Sequence, residues 1–229
     1  MTSTAPGPVV APSDFRSLFS SALLAYKKQT NEDLLMHPLA ARLQSRDSPD
    51  AILSILREQA QAFDRSRNSE EKLTESLGST VYVLHTLSSS LREGVGLVLS
   101  PANVIFVGIG VLLSATEAIS SSQNKLIDIF KRLDHLFKQI EPYLDVLPNI
   151  SSTKINEEIM LTVLSIIATI TEETKQGRAK RWYKKLVGGT DIEEELQTLD
   201  RLTQEEVRVA SAEASRIVRE KQSSPHVRD

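Results

Sequence analysis

From Gly94 to Thr116 the chain runs 23 residues without a charged side chain, and no other feature limits the fold so sharply. So apolar a stretch has to leave water, inside a protein core or inside a bilayer. Its length alone would suffice for a membrane, which takes about 20 residues. Its punctuation argues against one continuous span, because Ser100-Pro101 reads as a helix start, proline being tolerated where the amide has no intrahelical partner. The uninterrupted part, Ala102 to Thr116, is then about 22 Å long at about 1.5 Å per residue, short of the roughly 30 Å hydrocarbon layer. Two readings stay open: a buried core hairpin, or a segment stored in the core that inserts into a membrane after activation. The stretch contains Gly94, Gly96, Gly108 and Gly110, and glycine weakens a helix by up to about 1 kcal/mol each. Gly108 and Gly110, with Ser114 four residues after Gly110, therefore read as positions of close helix contact, in the core or between copies. A contact between copies would be lost, with the fold intact, when a charge is placed at Gly108 or Gly110.

The rest of the sequence supplies helices to surround this stretch. Ser13 can cap a helix whose Phe15, Leu18, Phe19, Ala22, Leu23 and Tyr26 share one face,. His37-Pro38 opens a short second helix, and Ser48-Pro49-Asp50 repeats the device before Ile52, Ile55, Leu56, Gln59 and Phe63,. Asn68 with Glu71 can form a reciprocal cap for a helix that ends near Gly94,. From Leu126 to Leu144 the apolar residues cover two adjoining faces, as in a central helix, before Pro142 and Pro148 break the chain,. Ile159 to Ile170 is apolar on nearly every side and also belongs inside. Gly188-Gly189 closes a short basic helix, after which Thr190/Glu193 and Thr203/Glu206 have capping-box spacing for two final helices,. Residues 104–113 have strand-like propensity, but no alternating run exists to pair with them, and they are assigned to helix,. The expected fold is all-α: a single multi-helix bundle of roughly eight helices with a buried central apolar helix. Residues 1–12 read as a disordered leader, 13–220 as the helical domain and 221–229 as a flexible tail,.

Chemistry-bearing motifs are missing. No G-x-x-x-x-G-K-[ST], G-x-G-x-x-G between strand and helix, H-E-x-x-H or G-x-S-x-G occurs,. The histidines His37, His85, His135 and His226 are scattered, and none has a second histidine one helical turn away,. Carboxylates come as neighbours (Glu157-Glu158, Glu172-Glu173, Glu205-Glu206), which on a helix point about 100° apart and read as solvated faces rather than acid/base dyads. The chain is expected to be no enzyme, with no cofactor, metal or small-molecule substrate; a compact pocket with strongly shifted carboxylates would reverse that expectation. A net charge of −3, with both signs interspersed, argues against nucleic acid as a partner. The absence of cysteine fits a reducing, cytoplasmic setting.

One charged feature stands out. Lys175 to Lys185 holds six basic residues, Lys175, Arg178, Lys180, Arg181, Lys184 and Lys185, with Trp182 and Tyr183 among them. As a helix it puts Ala179, Trp182, Tyr183 and Leu186 on one arc and cations on the other. Such a helix can lie on an anionic membrane surface or bind a phosphate-rich ligand; alternatively Trp182 and Leu186 dock in the core while the cations pair with the acidic run Asp191 to Glu195.

A set of strings spread along the chain carries a resemblance: His37-Pro38-Leu39, Ser48-Pro49-Asp50-Ala51-Ile52, Gln59-Ala60-Gln61-Ala62-Phe63, Glu93-Gly94-Val95-Gly96, Ser100-Pro101-Ala102, the run Ile105 to Leu113, Lys175-Gln176-Gly177-Arg178 and Asp191-Ile192-Glu193. From about Phe15 to about Ala212 the chain resembles the Goodbye domain of fungal STAND proteins. The resemblance implies a domain that sits at the amino terminus of NOD-like regulators, ahead of a nucleotide-binding oligomerisation domain and repeats. It implies an adaptor or effector in fungal innate immunity or programmed cell death, with protein partners that are receptor domains or copies of itself. No catalytic residues are established for that family, so it supplies none here. The 229 residues contain no P-loop and no repeat array. They form either a free-standing copy, which would signal in trans, or a piece of a longer receptor. The alternative function is a membrane-active cell-death effector, recruited to membranes through the uncharged stretch and the basic helix together.

Overall fold

Every residue from Pro101 to Leu113 is buried. The computed structural model describes residues 15–46, 48–63, 67–95, 99–116, 120–146, 153–175 and 190–223, and among these the charge-free segment forms the innermost helix. The described elements in chain order are α1 (Phe15–Thr30), α2 (Pro38–Gln44), α3 (Pro49–Phe63), α4 (Arg67–Val95), α5 (Pro101–Thr116), α6 (Ser120–Val146), α7 (Thr153–Lys175) and α8 (Thr190–Ser223). No strand occurs among the described residues. The fold is an all-α bundle.

The wrapping of α5 follows from its composition. A helix that is apolar all round has no face to give to water and must be enclosed. Here α2, α3, α4 and α7 pack against it, α1 and α8 pack on α7, and α6 lies across α4 and α8. One continuous apolar core runs from Phe15 in α1 to Leu202 in α8. Its largest wholly buried side chains include Phe106 of α5 and Phe130 and Phe137 of α6.

The Ser-Pro and His-Pro starts are where the sequence puts them. Ser100 Oγ accepts the Asn103 amide at 3.1 Å, and Ser48 Oγ accepts the Ala51 amide at 3.3 Å. His37 caps α2 through its ring, with Nδ1 accepting the Leu39 amide at 3.3 Å. Burial, with Lys175 nearby and Glu32 opposing, lowers the His37 pKa from its ordinary 6.5, and only the neutral ring keeps Nδ1 as an acceptor. The folded chain therefore binds this proton less readily than the unfolded chain does. The His37 contribution to stability is complete above 6.5 and is lost as the pH falls from there through the lower folded value,. Urea melts at about pH 7.5 and about pH 5, on either side of the ordinary histidine range, should show a smaller loss of stability for His37→Asn, which keeps a capping side chain. An equal loss in both proteins would exclude His37 as the titrating group.

Several expectations are corrected. The two final helices are one: α8 runs unbroken through Thr203, whose hydroxyl donates to the Asp200 carbonyl at 2.8 Å inside the helix. With neither glycine nor proline between residues 190 and 223, capping-box spacing has nothing to interrupt the helix. Glu193, placed by its spacing in the first of those boxes, instead receives both terminal nitrogens of Arg132 at 2.8 and 3.0 Å. Pro142 does not break α6, which continues to Val146; Pro142 and Lys138, whose carbonyl it deprives of a partner, are both exposed, so water can satisfy that group. Asn68 lies inside α4, which begins at Arg67. Leu18 is 53% exposed, because the apolar arc of α1 is wider than the face that meets α7. Glu157 and Glu206 are buried rather than solvated, on α7 and α8, which pack against each other.

Candidate functional site

The glycines of α5 are packing devices. A Cβ at Gly108 would lie 3.2 Å from Ile167 Cγ2 of α7 and 3.7 Å from Leu34 Cδ1, and one at Gly110 would collide with Leu39 Cδ1 of α2. Both positions face the interior of this one chain, so a charge there disrupts the core and is no probe of contacts between copies. Ser114 Oγ donates to the Gly110 carbonyl at 3.0 Å and reaches Gln59 Oε1 at 3.4 Å, joining α5 to α3. Gly94 is in the last turn of α4, and Gly96 lies outside the described residues. Among the described residues no helix is long and apolar enough to cross a membrane.

Of the basic stretch only Lys175 is described. It ends α7, where its ammonium pairs with Glu32 and donates to the Thr30 carbonyl at 3.2 Å. A cation on the last carbonyls of α1 is well placed against the negative helix end. Arg178, Lys180, Arg181, Trp182, Lys184 and Lys185 lie outside the described residues.

An apolar groove beside α1 was not singled out by the sequence. Phe15, Phe19 and Tyr26 anchor α1, which turns the neighbouring arc of Arg16, Ser20, Leu23, Leu24 and Lys27 toward a cavity of about 370 Å³. Asp33, Leu34 and Leu35 of the α1–α2 connection and Leu99 and Val104 at the start of α5 line it as well. Leu24 is 69% exposed, Leu35 48%, and the adjacent Met36 82%. The connection holds these side chains outward through a set of local bonds. Asn31 takes a left-handed conformation, φ 57°, as asparagine does after a helix end, and its amide bonds the Lys27 carbonyl at 2.9 Å. Thr30 Oγ1 accepts the Glu32 amide at 3.2 Å. Asp33 accepts the Leu35 amide on Oδ1 at 3.1 Å and the Lys27 ammonium on Oδ2 at 2.8 Å, and its carbonyl accepts the Met36 amide at 3.2 Å. The Lys27 hydrogen bond is the main reason the Asp33 carboxyl titrates below the ordinary range.

A second cavity, about 440 Å³, lies between α6 and α8, with Lys131, Arg132, His135 and Gln139 facing Glu193, Gln197 and Asp200. The Arg132 guanidinium holds the Glu193 carboxyl below its ordinary value. That favours the ionised form, the opposite of what a general acid near neutrality requires. Among the described residues no group of three His, Asp or Glu side chains could hold a metal ion.

The described residues thus form an all-α bundle that carries an apolar groove beside α1. The family model of the fungal STAND N-terminal Goodbye domain matches residues 19–143, more than half of the chain, and the chain belongs to that family. The matched span includes most of α1, the α1–α2 connection and α5, which together form the groove. No curated protein and no solved structure matches the chain. Beyond residue 143 the matched span ends, while α7 and α8 continue the same core.

Proposed function

We propose that this Goodbye-family chain is a non-enzymatic adaptor or effector module of fungal NOD-like signalling, working in the cytoplasm by contact with receptor domains. The observation that carries the reading is the groove beside α1: exposed leucines around a preformed apolar cavity, held by a connection whose backbone bonds are already satisfied. Apolar side chains gathered around a concave surface support the reading, since ligand and partner sites are concave and mostly apolar. Preformed geometry reduces the entropy lost on binding.

Sedimentation velocity of the chain mixed with the nucleotide-binding oligomerisation domain of a fungal STAND receptor tests this. A complex is expected. Leu24→Glu with Leu35→Glu should abolish it while changing stability by no more than about 0.5 kcal/mol each, because both side chains are exposed. A chain that stays monomeric beside every receptor domain tried would refute the adaptor reading.

A further inference from the structure

We infer that the groove beside α1 receives an amphipathic helix of a partner protein, one that offers apolar side chains to the leucine walls and an acidic side chain to Arg16. The inference rests on the protein-contact reading above and specifies the chemistry of the contact.

Three observations select this occupant. The first is the character of the walls, where Leu23, Leu24, Leu34, Leu35, Leu99 and Val104 predominate. An extended peptide laid there would bury amide and carbonyl groups without partners, since no strand edge exists among the described residues to bond them,. A helix satisfies its own backbone and presents only side chains. The second is length. Arg16 and Lys27, which bound the α1 wall, are eleven residues apart, about 16 Å along the helix, room for about three turns of a partner.

The third is charge. Lys27 is taken up by Asp33, whereas Arg16 at the other end has no acidic partner among the described residues, and Lys28, next to Lys27 in α1, is a further exposed cation. Acidic groups on the partner complement this rim. The same charges disfavour a second copy of the chain as occupant, because a two-fold contact through this face would set one basic rim against the other.

The test uses the whole chain and a fluorescein-labelled peptide of about twelve residues, stapled into a helix, with leucines four apart flanked by glutamates. One twin carries lysines for the glutamates and a second carries a central proline. Fluorescence anisotropy should show the acidic helix binding, the lysine twin at least about tenfold weaker, and the proline twin not binding. Leu35→Glu should weaken the acidic helix by about tenfold or more, and Arg16→Glu should reverse the preference between the charged twins. Failure of the acidic helix to bind, equal binding of the charged twins, or binding that survives Leu35→Glu would each overturn the inference. So would self-association of the chain that Leu24→Glu abolishes. If the peptides fail while the receptor complex forms and tolerates Leu35→Glu, the adaptor reading stands and this occupant falls; if both fail, both fall.

Discussion

Gly108→Glu is expected to leave the chain unfolded, whereas Gly108→Ala should fold and stay within about 1 kcal/mol of the wild type. The site has room for a methyl group at most. An added Cβ stands 3.2 Å from Ile167 Cγ2, so the branched, rotamerically stiff isoleucine has to yield by a few tenths of an ångström. Against that strain, alanine recovers up to about 1 kcal/mol of helix propensity. Glutamate adds a carboxylate to a helix that is buried on every side from Pro101 to Leu113, where its nearest neighbours are Ile167 and Leu34. An unpaired charge there costs several kcal/mol, or the residue stays protonated and is still left without partners. Domain stabilities are only about 5–15 kcal/mol in total, so the loss removes most or all of the folded population. Far-ultraviolet circular dichroism with urea denaturation checks both variants. A Gly108→Glu protein with a native cooperative transition would show that α5 is not enclosed.

The helix starts were legible because their signals are local. Ser48-Pro49, Ser100-Pro101 and His37-Pro38 each place a capping acceptor directly before a fixed proline φ, and each opens a helix in the structure,. The burial of α5 was legible for a different reason: a helix without charge admits no solvent face. The groove was not legible. It depends on how the left-handed turn at Asn31 aims Leu35, and on Leu99 arriving beside α1 from a distance of about seventy residues in sequence,. Nor does periodicity reveal how wide a buried arc will be. Leu18 shares the apolar face of α1 with Phe15 and Phe19, yet only the latter two reach the core. Lone prolines and polar residues also misled, since Pro142 sits on an exposed side of α6 where a missing hydrogen bond is made good by water,.

The continuity of α8 can be tested by one substitution whose outcomes differ by several kcal/mol. If a helix restarted at Thr203, position 204 would be its first residue, where proline is favoured and Gln204→Pro would be close to neutral. In the unbroken helix Thr190–Ser223, the same proline removes the amide that bonds the Asp200 carbonyl and drives its ring into that carbonyl, at about 3 kcal/mol or more. The second outcome is expected. Thr203 already spends its hydroxyl on the Asp200 carbonyl rather than on the amides of a new first turn, and it is wholly buried. Leu199 and Leu202 on one side of the substitution and Ala210 on the other are buried too, so a kink at 204 would lift one half of α8 from α6 or α7 and add lost packing to the backbone penalty. Gln204→Ala is the control: it gives up only the exposed bond from Gln204 Nε2 to Asp200 Oδ1, 3.1 Å long, and should stay within about 0.5 kcal/mol of the wild type. Equal urea midpoints for the proline and alanine variants would mean that the helix is interrupted at Thr203 after all.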